Sequence, residues 1–400
     1  MNRWLTAHNA KATGDRLLLW GAAALAVLLI TLPLSHVMLV RNLAFWLAVL
    51  VALALYLLRK DDELPLVAAF LIWLVAASLS LFSLAEKGEA VELIWREVGK
   101  GALVFYAAYL LAKAGVSVVL WFRAAAVALG VLASLAILAW VKHGTWTAVG
   151  LVPALGDYNT SALTLFPLLA LPWFSAWREA CGRFSLPLSA LVIGLGLVAG
   201  ALSMSRGFWL ICAILVLLTI LPLRWRMKSD WKKAVLWTLA TLILLAGIAW
   251  AVAAWRGIEL LRFGERDRIY WPVLHHVFNA PWNGFGYGHE AQKAWYAKNI
   301  ADAEIFHAHN LTLSYIEQMG LLGIAVLVAL FGGLGRAFVR HFNAGDPRRA
   351  SLAALGLALV AAIFVRNNLD IFFVRHNLLL FFLVCGLMLG MLDAGKTKNA

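Results

Sequence analysis

The stretch HAHNLTLSYIEQMGLLG, residues 307–323, decides how the rest of the chain is read. It holds His309-Asn310, then nine residues, then Gly320-Leu321-Leu322-Gly323. Upstream lies the one long polar segment of the chain, Arg256 to Asn310, and downstream an apolar run begins at once. A histidine placed where a polar loop re-enters an apolar chain, behind several arginines, points to acid/base chemistry on an anionic, lipid-linked substrate.

Outward from this point the chain is strongly hydrophobic. Of its 400 residues 63% are apolar and 14% charged, with a mean hydropathy of +0.83. Soluble domains run at about 45–50% apolar and about 25% charged. The composition therefore specifies an all-α polytopic membrane protein, a single integral membrane domain over residues 1–400. A crossing needs roughly 20 apolar residues, and twelve candidate helices follow: 17–40, 42–58, 64–84, 98–113, 118–141, 160–177, 186–204, 207–223, 234–255, 311–334, 351–366 and 377–393. The first run is longer than a signal-peptide core and lacks a small-residue cleavage site, so it reads as a retained helix.

The net charge of +13 does not indicate nucleic acid, because the basic residues punctuate apolar runs and form no patch with its own fold. With the amino terminus in the cytoplasm, 20 of the 34 basic residues fall in short inside segments, and six of the remaining 14 share the single long loop. Both termini then come out cytoplasmic and the loop, residues 256–310, periplasmic. The localisation this implies is the bacterial inner membrane, with membrane lipids as surroundings. Cys181, Cys212 and Cys385 show no paired spacing, so neither a disulfide nor a metal site is expected from them.

Within the loop, Arg256, Arg262, Arg266 and Arg268 precede a Gly-rich turn, Pro281-Trp-Asn-Gly-Phe-Gly-Tyr-Gly288. Apolar spacing at Tyr270, Val273, Leu274 and Val277 predicts a helix from about Asp267 to Phe278. The loop's tryptophans and tyrosines suit a segment at the headgroup level. The Gly-rich turn follows no strand, so it is a fold-back turn and not a dinucleotide loop.

Each candidate residue has a plainer reading beside the functional one. His309 is either a general base or a histidine at a helix start. Arg206, in Ser203-Met-Ser-Arg-Gly207, is a phosphate ligand or a snorkelling arginine, and it sits at an outer boundary where arginine is disfavoured. Arg266 and Arg268 alternate with Glu265 and Asp267 as a mixed-charge turn, or join Arg206 and Arg262 in a cationic cup for pyrophosphate. Asp370, placed with Arg366, Arg375 and His376 in a short outer loop, is an interfacial ion-pair residue or a group that orients the base. The histidines His275, His276, His289, His307 and His309 have no HExxH or carboxylate run near them, so no metal is expected and arginine is left to stabilise charge.

Taken in order, Arg268-x-x-Trp271, Pro281-x-x-Gly-x-Gly and His309-Asn310-x9-Gly320-x-x-Gly323 resemble the O-antigen ligase/polymerase superfamily of glycan-transfer proteins. The architecture of about twelve transmembrane helices with one large periplasmic loop is similar over most of the chain, and the motifs cover about Arg206 to Gly323. The histidine element resembles the ligases and the related protein O-oligosaccharyltransferases more than the polymerases, and the length of 400 residues suits the ligases. The resemblance implies a fold like the GT-C glycosyltransferases and transfer of a glycan from undecaprenyl-pyrophosphate-linked O-antigen to a sugar hydroxyl of lipid A–core, without cofactor or metal. It implies His309 as catalytic base, Arg206 and Arg268, with Arg266 beside it, on the donor pyrophosphate, and Asn310, Arg262, Asp370 and His307 in support. Direct attack with one base implies inversion. An O-antigen polymerase, a protein O-oligosaccharyltransferase and a transporter of lipid-linked sugar are the alternatives. The absence of internal repeats counts against the transporter.

Overall fold

The computed structural model describes residues 2–34, 37–59, 63–84, 87–116, 118–143, 185–202, 208–214, 266–279, 281–282, 284–300, 308–342, 347–369 and 375–394, with isolated positions between 217 and 254. Among these residues there are helices and no strands. Lipid offers no partner to a backbone amide or carbonyl, and a helix pairs those groups within its own segment.

The first half contributes α1 (Asn2–Thr31), α2 (Met38–Arg59), α3 (Val67–Ser80), α4 (Gly88–Ile94), α5 (Lys100–Lys113), α6 (Val118–His143) and α7 (Ser185–Leu202). The second half contributes α8 (Arg266–Asn279), α9 (His289–Asn299), α10 (Leu311–Met319), α11 (Leu322–Leu327), α12 (Gly333–Phe342), α13 (Pro347–Leu369) and α14 (Arg375–Ala394). Wide π-type turns at Trp95–Gly99 and Val328–Gly332 make α4–α5 and α11–α12 continuous rods.

By length and composition, four segments of the described residues are apolar enough to cross a membrane: Met38–Leu58, Leu322–Phe342, Arg349–Leu369 and His376–Ala394. They occupy different depths in the bundle. The α14 crossing is 83% buried inside the protein and that of α2 only 33%. Accordingly α2 turns Leu39, Leu43, Trp46, Leu50, Leu53 and Leu57 outward. An exposed apolar face that long needs lipid as its solvent. At the centre, α14 lies against α5 through two glycines. A Cβ on Gly386 would sit 2.4 Å from the Phe105 carbonyl oxygen, and one on Gly390 2.3 Å from that of Tyr109. Small residues four apart let two backbones approach this closely in a membrane. Tyr109 closes the seam by donating from its hydroxyl to Asp393 Oδ2 at 2.9 Å.

Several helix limits depart from those read off hydropathy. The apolar run 17–40 is broken: α1 ends at Thr31 and α2 starts at Met38. Pro33 lies in the gap, and its missing N–H and fixed φ interrupt a helix that hydropathy alone runs through. The run 311–334 is also two elements, α10 and the crossing from Leu322, with a sharp bend between them. The expected loop helix is present as α8, and α9, whose sequence is too polar to show an apolar stripe, joins it. Arg366 belongs to α13 and is 2% exposed, so it is not a loop residue. The candidate span 160–177 lies outside the described residues, and those at 207–223 and 234–255 do so largely.

Candidate functional site

The nine residues between Asn310 and Gly320 are α10 itself. Its first amides lack partners within the helix, and Asn310 supplies one. The Asn310 Oδ1 accepts from the Leu313 N–H at 3.0 Å. Its Nδ2 donates to the Asn368 carbonyl at 2.8 Å. Asn368, at the end of α13, answers with its own side chain: Oδ1 accepts from the Thr312 hydroxyl at 2.6 Å and from the Thr312 N–H at 3.2 Å. The Nδ2 of Asn368 in turn donates to the Phe364 carbonyl at 2.9 Å, so the bracket is anchored in its own helix.

His309 stands immediately before this cap. Its φ of 50° is left-handed, which among the described non-glycine residues recurs only at Leu66. That conformation costs about 1–3 kcal/mol and persists where the surroundings fix it. Here Ala308 is fully buried on one side and Asn310 is locked on the other, while the imidazole is half-buried. A left-handed residue between two pinned neighbours has its side-chain direction set by the backbone. This is the preorganisation a general base needs.

The far end of α10 is set by the glycine pair. Gly320 has φ 62° and ψ −152°, a region essentially reserved for glycine. The turn that begins at Pro281 docks on this bend: the Leu321 N–H donates to the Pro281 carbonyl at 2.9 Å, and the Phe285 N–H to the Glu317 carbonyl at 2.5 Å. Gly323 then passes against the Tyr315 carbonyl, so that a Cβ there would lie 2.1 Å from the oxygen. The Gly-rich turn is thus the fold-back that returns the loop onto α10.

Buried polar groups hold the loop helices to this frame. Glu317 is fully buried and accepts from the Tyr296 hydroxyl and, at 2.8 Å, from Gln292 Nε2, both on α9. Burial first, then the Glu317 carboxylate, pushes the Tyr296 phenol well above its ordinary range, so it remains a donor. Tyr287 acts likewise in the turn. It donates to Glu97 Oε2 at 2.6 Å from its hydroxyl and to Ser80 Oγ at 3.1 Å from its N–H. Glu97 lies in the π-type turn between α4 and α5. Burial, and then Glu97, raises the Tyr287 phenol in the same way.

Replacing Glu317 with alanine strands two buried donors, at about 1–3 kcal/mol each. We expect faster proteolysis of the 280–300 segment and a lower melting temperature in detergent, with Glu317→Gln retaining much of the wild-type value. Equal melting of wild type and Glu317→Ala would refute the anchoring role.

The candidate residues named from sequence are placed unevenly. His309 and Asn310 stand as described. Arg266 and Arg268 fall in the first turn of α8; only their backbone belongs to the described part. Arg206, Arg262, His307 and Asp370 lie outside the described residues. The first turn of α8 does converge with the histidine. Ile269, next to Arg268, and Ala308, next to His309, share one buried cluster with Val273, Tyr296 and Leu313. Among the described residues no three His, Cys, Asp or Glu side chains gather as metal ligands. Sequence reading passed over Asn368, Glu317 and Gln292, and it put Tyr287 and Tyr296 at the headgroup level, where the structure buries both against carboxylates. A polar residue inside an apolar helix, as at Glu317 and Asn368, was the available signal.

No curated protein matches the chain. A family model described as O-antigen ligase matches residues 190–328, a span that contains α8, α9, α10 and the bend at Gly320. Residues 190–328 of this membrane protein are therefore similar to the O-antigen ligase family.

Proposed function

We propose that this protein is an O-antigen ligase of the bacterial inner membrane, with about twelve crossings and its active site in the periplasmic loop 256–310. It moves a glycan from undecaprenyl pyrophosphate to a sugar hydroxyl of lipid A–core. The acceptor oxygen attacks the anomeric carbon and His309 takes the hydroxyl proton. The bond from that carbon to the pyrophosphate oxygen breaks, and the electron pair leaves with the pyrophosphate. Arg206 and Arg268, with Arg266, neutralise the charge that develops there, as cationic and N–H donors do at other transferring groups. Asn310 holds the base in place, and Arg262, His307 and Asp370 stand in support. One base and one displacement give inversion.

The observation that carries this reading is the convergence of His309, fixed in a left-handed backbone, with the first turn of α8. Both lie inside the matched family segment. The pyrophosphate is already a good leaving group, so the chemistry asks for charge stabilisation and one base and no more. Purified protein incubated with an undecaprenyl-pyrophosphate glycan and lipid A–core, without divalent metal or ATP, is expected to yield glycan-bearing lipid A–core. A glycan that lengthens on its carrier lipid instead would make the protein a polymerase.

A further inference from the structure

We propose that the outer face of α8 and α9 is a binding subsite for one uncharged pyranose ring of the donor glycan, close to its pyrophosphate end; this deepens the ligase reading and rests on it. The two helices enclose an open cavity of about 300 Å³, lined by Trp271, His275, His276, Asn279, Trp295 and Asn299. Trp271 is 74% exposed, a large ring surface that the described protein leaves mostly uncovered. Across the cavity Trp295 is a prepared wall. It stacks on Phe285 at 4.5 Å between ring centroids and 18° between planes, and meets His276 edge-on at 5.6 Å.

The polar lining is held as well. Asn279 Nδ2 bonds the His275 ring at 3.1 Å, and Asn299 Nδ2 donates to the Trp295 carbonyl at 2.8 Å. Flat aromatic faces match the C–H faces of a pyranose, and amides with imidazoles match its hydroxyls, which donate and accept alike. Among the described residues no carboxylate and no lysine or arginine lines the cavity, so it favours a neutral sugar over an acidic one. A face made for lipid tails would be aliphatic, and this one is half amide and imidazole.

Its position fits the donor. Arg268 lies in the first turn of α8, and Trp271 to Asn279 lie three to eleven residues further along the same helix. At about 1.5 Å per residue this is about 5 to 16 Å beyond the arginine. A glycan whose pyrophosphate rests at the start of α8 would lay its first sugars along that stretch.

The test uses the full-length protein in detergent and the soluble repeat-unit oligosaccharide of the organism's own O-antigen, freed of carrier lipid and pyrophosphate. Saturation-transfer NMR is expected to mark the ring C–H protons of one sugar. Trp271→Ala and, separately, Asn299→Ala are expected to weaken binding at least fivefold. In the transfer assay the same variants should raise the donor KM at least fivefold and change kcat less than twofold. Both replace exposed side chains, and thermal melting checks that they fold. No binding by the wild type, or equal binding by both variants, overturns the subsite even if transfer is normal. Sugar binding that depends on Trp271, in a protein that performs no transfer, sustains the subsite and removes the ligase.

Discussion

Replacing His309 with alanine is expected to slow glycan transfer by about 10²–10⁴-fold, the usual contribution of a positioned general base. In the proposed reaction the acceptor is a sugar hydroxyl, which attacks poorly while it keeps its proton. The base cannot be supplied by its neighbour, because both polar ends of the Asn310 side chain are engaged, one with Leu313 and one with Asn368. The cap of α10 is made by Asn310 and Asn368, and the variant keeps both. Loss of activity should therefore appear without loss of fold. A second variant sharpens this: His309→Gly adopts the 50° φ without strain, so it should melt at or above the wild-type temperature and be equally inactive. Single-turnover rates of transfer, set against melting curves for both variants, check it. A rate within fivefold of wild type in either variant would sink the assignment of His309 as base.

The second large effect is structural. Gly323→Val should prevent the site from assembling. Even the Cβ of alanine would meet the Tyr315 carbonyl oxygen at 2.1 Å and its carbon at 2.4 Å. The opposing atoms are backbone and cannot rotate away, so α10 and α11 must separate. Overpacking of a tight contact costs about 1–3 kcal/mol and occasionally more, and the branched valine belongs at the upper end. The expected result is a large loss of monodisperse protein on size exclusion in detergent, with alanine intermediate. Transfer should fall in proportion to the folded fraction, in contrast to the His309 variants. Folded and active Gly323→Val would mean that the bend has another route.

Much of the architecture was legible before any coordinates, and the reasons are physical. Hydropathy reports transfer into lipid, so it located the apolar rods α2, α13 and α14 closely. It is blind to backbone stops, so it ran through Pro33 and through the bend at Gly320. The helix α8 announced itself through four apolar residues at helical spacing. The helix α9 did not, since its stability comes from Gln292 and Tyr296 bonding a carboxylate on another helix. The motif His-Asn-x9-Gly-x-x-Gly was visible, but its division of labour was not. Asn310, Gly320 and Gly323 shape the ends of one nine-residue helix, and the proposed chemistry falls to the histidine before it. Asn368 stood out as a polar residue in an apolar helix, but its role did not, because its partners lie 56 and 58 residues away.

That bracket also fixes when the candidate site can form during synthesis of the chain. Tyr287 reaches back 207 residues to Ser80 and 190 to Glu97, partners that are already made when it emerges, and the rest of the loop docks once Glu317 and Leu321 follow. The start of α10 has to wait for Asn368, 58 residues later, or roughly 3–12 s at about 5–20 residues per second. Until α13 has been threaded into the bilayer, the histidine stands beside an unfinished cap. The nascent chain thus acquires its docking platform first and its reactive geometry near the end of translation.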